Sequence, residues 1–314
     1  MLIGAAMVAA GAGTVALGAG LSRYGRRHTA RVIECPAQLV DHSFVLFLRP
    51  FEEDPRLYKV RRAASKSLRV QMTVPVSGTV EEGMVRQFRR RFGRVVAVGQ
   101  PGERLPLPGA DRFYLPLDDW QPVVSDLIGR ARLVIIIAGT GPGTLWELTE
   151  AARLLRPEQL LLLVYGDEEA YRRFQEALPQ AFAERARKLR SEEKAAALAP
   201  DLPDYPPLHD PTADGTLTGL QGIIHFDSAW TPTFVRCDRT AVKALTAAGT
   251  AWKIHRNQIK PVLDRVEQRL PAKPPTHLPG TPDKRRRDGH KHPPAGKPQG
   301  SAGGEAPRTD GSAD

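Results

Sequence analysis

The chain has 314 residues, of which 41% are hydrophobic and 25% are charged, which suits one good-sized globular domain with extensions. Its formal net charge of +10 at pH 7 lies mainly towards the two ends, so we expect no nucleic acid as a partner of the folded domain. The two cysteines, Cys35 and Cys237, are too few and too far apart for a metal site or a disulfide framework.

The first segment, from Leu2 to Leu21, carries no charge and is about as long as a bilayer core requires. We therefore predict a transmembrane helix over residues 1–22. A basic juxtamembrane linker over residues 23–41 follows it, with Arg23, Arg26, Arg27 and Arg31. Basic residues stay on the cytoplasmic side, so we expect a single-pass protein of the cell membrane whose carboxyl-terminal domain is cytoplasmic. A cleaved signal peptide and a buried helix are the alternatives.

Residues 42–270 are predicted to form one α/β domain. Five apolar runs bounded by turn residues predict its strands, at residues 43–49, 94–98, 132–138, 159–165 and 222–227. Helical spacing and capping residues predict helices at residues 79–92, 118–131, 144–155, 168–198 and 238–270, the last one interrupted by Pro261. Residues 271–314 are rich in proline, glycine and basic residues and contain no aromatic residue, so we predict a disordered basic tail.

Strands that alternate with helices predict a doubly wound, mainly parallel, five-stranded sheet. The commonest order of five such strands is 2-1-3-4-5, and ligands then bind where the carboxyl ends of strands 1 and 3 meet. Strand 1 ends at Arg49-Pro50-Phe51, and strand 3 ends at a loop from Gly139 to Gly143. We therefore expect these two sequences to face one crevice.

The loop after the third strand contains Gly139, Thr140, Gly141 and Gly143, and a helix follows it. A strand, a glycine loop and a helix in succession present backbone N–H groups and the helix dipole to an anion such as a phosphate. The loop has neither the lysine of a P-loop nor the third glycine of the dinucleotide fingerprint. Thr144 is the predicted N-cap of the helix, with Glu147 as its partner in a capping box.

Two short motifs are similar to those of TIR (Toll/interleukin-1 receptor) domains, in particular those of membrane-tethered bacterial proteins. Residues 44–54 (FVLFLRPFEED) resemble the first strand and acidic turn of the family, and Trp146-Glu147-Leu148 resembles its tryptophan-and-glutamate segment. The resemblance implies a flavodoxin-like fold and self-association. It also implies hydrolysis of NAD at the bond between nicotinamide and ribose, with one glutamate as the catalytic residue and NAD as a substrate rather than a tightly bound cofactor.

The catalytic glutamate that this resemblance implies is Glu147, which directly follows the tryptophan. Glu150 is the alternative, because the family's glutamate usually follows the tryptophan by four residues. A carboxylate beside the ribose stabilises the oxocarbenium-like transition state or attacks the anomeric carbon. Arg49 and the glycine loop would hold the pyrophosphate, and Phe51 or Trp146 would stack on a ring. No metal is expected.

Each candidate has a structural alternative that the sequence leaves open. Glu147 completes a capping box, Trp146 packs in the core, Arg49 forms a surface ion pair, and the glycines permit a tight turn. At the level of function, the alternatives to an NAD hydrolase are a non-catalytic signalling or assembly module and an enzyme of the nucleoside deoxyribosyltransferase type.

Overall fold

The computed structural model describes residues 32–33, 35–49, 80–99, 110–114, 119–191, 197–212, 219–244 and 246–272. The predicted transmembrane helix, Phe51 and nearly all of the predicted tail lie outside these residues. Within the described ranges, no helix has both the length and the apolar character to cross a membrane.

Eight strands form a single sheet in the order β1-β4-β3-β2-β5-β6-β7-β8. The strands are β1 (Val32–Ile33), β2 (Phe44–Leu48), β3 (Arg94–Gly99), β4 (Asp111–Tyr114), β5 (Leu133–Ile137), β6 (Leu160–Val164), β7 (Gly222–Phe226) and β8 (Pro232–Arg236). Six helices are described: α1 (Val80–Phe92), α2 (Gln121–Arg130), α3 (Pro142–Leu154), α4 (Glu168–Ser191), α5 (Ala247–Ile254) and α6 (Lys260–Arg269). A π-helical turn, His255–Ile259, joins the last two helices.

The α/β class and the mainly parallel sheet are confirmed. All five predicted strands are present, as β2, β3, β5, β6 and β7, and their relative order in the sheet is the predicted 2-1-3-4-5. The central strands β2, β5 and β6 are buried along their whole length, as expected for apolar strands that are covered on both faces.

The predicted number of strands is wrong, because β1, β4 and β8 extend the sheet on both sides. Strand β1 lies within the predicted linker, where Ile33 and Leu39 also join the core. Strands β7 and β8 are antiparallel to their neighbours, so the parallel part of the sheet ends at β6. These three added strands are short or partly polar, which hides the pattern that strand prediction requires.

The helices cover both faces of the sheet, and each face has its own apolar core. The first core contains α2, α3 and α4 residues and the side chains of one face of the strands, such as Leu46 and Ile136. The second core contains α1 and α6 residues and the side chains of the opposite face, such as Phe47 and Ile135. This alternation follows from the two-residue period of a strand.

The predicted last helix, residues 238–270, is shorter and consists of α5, the π-helical turn and α6. Pro261 is the second residue of α6, directly after the π-helical turn, and its ring supplies no N–H group to the turn before it. The wider π-helical turn directly before it accommodates the predicted interruption without ending the helical path.

Candidate functional site

The carboxyl ends of β2 and β5 are adjacent, as predicted. The two strands are parallel neighbours in a register that pairs Leu48 with Ile136. Arg49 directly follows β2 and is partly buried, while the glycine loop directly follows β5. The fold therefore brings Arg49 and the loop to the same edge of the sheet, at the point where the strand order reverses.

The start of α3 differs from the prediction. Its N-cap is Gly141, and Pro142 is its first residue, a position that suits the fixed backbone angle of proline. Thr144 is therefore inside the helix, where it is buried, and the prediction that it is the N-cap is wrong. Glu147 lies beyond the first turn and cannot complete a capping box. In the described part of the chain, no side chain caps this helix end.

The glycine loop leaves open space at the start of α3. A Cβ atom on Gly143 would meet nothing within 4 Å, and one on Gly141 would meet only the Thr144 hydroxyl, at 4.0 Å. The glycines with a positive φ angle among the described residues are Gly93 and Gly219, so neither Gly141 nor Gly143 is required by its backbone angle. The backbone angles of a tight turn therefore do not explain these two glycines, and Gly141 stands at an N-cap position that favours glycine.

Glu147 is buried, with 3% of its surface exposed. None of the residues that the structure describes donates a hydrogen bond to its carboxyl group or forms an ion pair with it. Burial therefore raises the pKa of Glu147 from 4.5 to about 8, because nothing compensates the charged form for the loss of water. At neutral pH this carboxyl group is mostly protonated.

Glu150 is also buried, but it is held by three donors. Ser125 of α2 donates to its Oε1 at 2.6 Å, Arg153 donates to the same atom at 2.5 Å, and Arg185 of α4 donates to its Oε2 at 2.7 Å. Burial raises the pKa of Glu150, but the hydrogen bonds from Arg153, Ser125 and Arg185 outweigh this effect and lower the pKa to about 2. Glu150 thus ties three helices together.

Contacts with α2 fix the direction in which Glu147 faces. Glu150 accepts a hydrogen bond from Ser125 of α2, and a Cβ atom added to Gly129 of α2 would lie 4.0 Å from Leu154. The stripe of α3 that contains Glu150 and Leu154 therefore faces α2. Glu147 belongs to the same stripe, one turn nearer to the start of the helix. The start of α3 follows the carboxyl end of β5, so Glu147 lies on the side of the glycine loop.

Trp146 packs between two helices. Its ring meets Trp120 edge-on, with 4.9 Å between the ring centroids, and the Arg185 guanidinium lies 5.5 Å from the ring. Its buried Nε1 has no hydrogen-bond partner among the described residues. These contacts agree with the structural alternative, in which Trp146 packs against the first core.

The network around Glu150 is the part of this region that sequence reasoning missed. Arg153 follows Glu150 by three residues, a spacing that signals an ion pair on a helix and was available in the sequence. Ser125 and Arg185 lie 25 and 35 residues away from Glu150, so no local pattern connects them with it.

Across the described ranges, no group of residues has the composition and proximity of a metal site.

Comparisons of the chain with models of known protein families, with curated proteins and with solved structures found no match.

Proposed function

We propose that this chain is a membrane-anchored TIR-like protein that binds NAD or a related nucleotide at the β2–β5 edge and hydrolyses its N-glycosidic bond. Glu147 is the proposed catalytic residue. The observation that carries the proposal is a buried carboxyl group without a partner, beside a glycine loop at the switch point of a parallel sheet. Perturbed carboxyl groups of this kind cluster at functional sites, because an uncompensated buried acid destabilises the fold.

The raised pKa of Glu147 suits a cationic substrate. The nicotinamide ring of NAD carries a positive charge, which favours the ionised carboxyl group when the ring binds nearby. Binding would then release a proton and leave a carboxylate beside the ribose. When the bond between ribose and ring nitrogen breaks, its electron pair neutralises the nicotinamide, and the carboxylate stabilises the positive charge on the sugar until water adds.

The other proposed roles follow from position. Backbone N–H groups at the uncapped start of α3 and the Arg49 side chain would hold the pyrophosphate. The open space over Gly141 and Gly143 leaves room for its oxygen atoms. Phe51 remains a candidate for stacking on a ring, and it lies outside the described residues. Trp146 is a weaker candidate, since its ring already contacts Trp120 and Arg185.

The test is to incubate the purified chain with NAD and to measure released nicotinamide. We expect Glu147→Gln to fold and to bind NAD, and to lower turnover by about 100-fold or more. Glu150→Gln is the matched control, with the same substitution one turn away. The turnover of Glu150→Gln per folded molecule should be close to that of the parent chain.

Four results would contradict the proposal. Turnover that survives in Glu147→Gln would remove this residue from the mechanism, and turnover lost only in Glu150→Gln would transfer the role to Glu150. If the parent chain neither binds nor cleaves NAD in lipid-bound form, a non-catalytic assembly module is the better account. Transfer of deoxyribose between bases, with no cleavage of NAD, would indicate the deoxyribosyltransferase class.

A further inference from the structure

A second feature lies on the opposite face of the sheet, where α1 packs beside the π-helical turn and α6. The sequence from Arg239 to Leu263 contains five lysines and arginines and no acidic residue. Helix α1 contributes four more arginines, three of them in its last turn. Positive charge is therefore concentrated in this layer of helices.

Contacts between helices place these charges side by side. Arg91 of α1 forms ion pairs with Asp264 and with Glu267 of α6, the latter at 2.7 Å. Gln87 of α1 contacts His255 in the π-helical turn. Because α1 meets the π-helical turn and α6 along this line, the exposed arginines of α1 belong to the same surface layer as Arg256 and Lys260.

The acidic residues of α6 are already paired. Asp264 binds Arg91 and also Lys260, at 2.8 Å, and Glu267 binds Arg91. The surrounding potential is accordingly positive: burial lowers the pKa of His255, and the charges of Arg91 and Lys260 lower it further. The side chains of Arg86, Arg90 and Arg256 are exposed.

An exposed aromatic residue stands among these charges. Trp252 of α5 has 56% of its surface exposed, and the Arg256 guanidinium lies 5.1 Å from the centre of its ring. Tryptophan combines a large apolar ring with one polar N–H group, and it is enriched at the boundary between membrane and water. An exposed tryptophan with a basic rim is therefore a feature of surfaces that bind lipid headgroups.

We propose that the basic seam, defined as Arg86, Arg90, Trp252, Arg256 and Lys260, binds the surface of an anionic lipid bilayer, with Trp252 at the level of the headgroups. Lysines and arginines near an anionic membrane each strengthen binding roughly fivefold. A single-stranded nucleic acid is less suited, because its binding sites present several aromatic rings for stacking, and Trp252 is the one exposed aromatic residue of this described layer. The proposal depends neither on NAD cleavage nor on the amino-terminal segment.

The test measures co-sedimentation of the full chain with vesicles of phosphatidylcholine, with or without phosphatidylglycerol. The seam variant replaces four basic residues by glutamine: Arg86→Gln, Arg90→Gln, Arg256→Gln and Lys260→Gln. The matched control removes the same charge from exposed positions of α4: Arg172→Gln, Arg173→Gln, Arg187→Gln and Arg190→Gln. Any binding through the amino-terminal segment is common to all variants and cancels in the ratio of the two vesicle affinities.

We expect the seam variant to reduce the preference for anionic vesicles by about 600-fold and the control to leave it nearly unchanged. Trp252→Ala should weaken binding to anionic vesicles several-fold and leave thermal stability unchanged. If the seam variant with its four substitutions fails to fold, the single changes Arg86→Gln and Arg256→Gln should each lower the preference for anionic vesicles severalfold.

Equal losses in seam and control variants would overturn the proposal, because net charge alone would then explain binding. Displacement of the chain from vesicles by RNA, through the same four residues, would assign the seam to nucleic acid and also overturn it.

Discussion

Glu147 and Glu150 lie one turn apart on the same helix, and both are buried, yet their surroundings are opposite. Glu150 accepts hydrogen bonds from a serine and two arginines, and its pKa is lowered to about 2. Glu147 has no partner among the described residues, and its pKa is raised to about 8. This fold supplies full compensation to the carboxylate that binds its helices together. The neighbouring carboxyl group is left uncompensated, as we propose for a group that meets a cationic ligand.

The largest expected effect comes from removing the compensated carboxylate. Glu150→Ala would leave Arg153 and Arg185 without their shared partner, so we expect the free energy of unfolding to fall by about 3 kcal/mol. Urea denaturation at neutral pH measures this loss. A loss below about 1 kcal/mol would show that the three-helix network contributes little to the fold.

The second prediction concerns Glu147, where we expect a substitution to raise the free energy of unfolding rather than to lower it. Its pKa in the folded state is raised from 4.5 to about 8, so the folded chain binds this proton more tightly than the unfolded chain. Its contribution to stability is complete below pH 4.5 and is lost as the pH rises towards 8. Glu147→Gln removes this loss, and we expect it to be more stable than the parent by at least about 1 kcal/mol at pH 8.

The matched measurement for this prediction compares the same two chains near pH 4.5, where their free energies of unfolding should be similar.

The contribution of Glu150 to stability depends on pH in the opposite direction. The low pKa of Glu150 means that its ion pairs stabilise the fold above about pH 4.5 and are lost as the pH falls towards 2. A parent chain whose stability does not fall between pH 5 and 8 relative to Glu147→Gln would contradict the account.

A smaller effect is expected at the glycine loop. Gly143→Ala places a methyl group in open space within the first turn of α3, so it should stabilise the fold by about 0.5 to 1 kcal/mol. The same methyl group would stand where a phosphate approaches the backbone, so NAD binding should weaken. Gly129→Ala is the matched control in α2, where a Cβ atom makes an ordinary contact with Leu154. It should stabilise the fold to a similar extent and leave NAD binding intact.

The smallest effect is expected for an exposed pair with the same spacing as Arg153 and Glu150. Arg172 and Glu169 also lie three residues apart on a helix, but both side chains are more than half exposed. Water and salt screen such a pair. Arg172→Gln should leave the urea midpoint unchanged within error, and a clear loss would show that spacing rather than burial decides the strength of these pairs.

The central part of the fold could be predicted from the sequence because its strands are continuous apolar runs. The run Leu133–Ile137 is an example, since a short run of β-branched and leucine residues that ends at a glycine loop is typical of a strand covered on both faces. Strand β4 could not be found in this way, because Asp111 and Arg112 stand in it and both are buried. Strand prediction relies on apolar residues at buried positions, so a strand with polar residues at buried positions lacks the pattern that would identify it.

The candidate site was predictable in part for a related reason. Adjacency of Arg49 and the glycine loop follows from strand order, which has few alternatives in an α/β sheet. The predicted start of α3 is wrong because Thr144, with Glu147 three residues later, matches the pattern of a capping box, whereas Pro142 after Gly141 is the signal that marks the observed helix start. The difference between Glu147 and Glu150 depends on Ser125 and Arg185, which only the tertiary fold brings to α3.

The most direct test of the account is a titration of the Glu147 carboxyl group itself. Carbon-13 NMR of chains with labelled glutamate follows each carboxyl carbon through its ionisation, and Glu147→Gln identifies the signal. We predict a midpoint at about pH 8, which moves to lower pH when a non-cleavable analogue of NAD is added because the cationic ring favours the carboxylate. A midpoint near the ordinary value of 4.5, or a midpoint near 8 that stays unchanged with the analogue bound, would contradict the proposed role of Glu147.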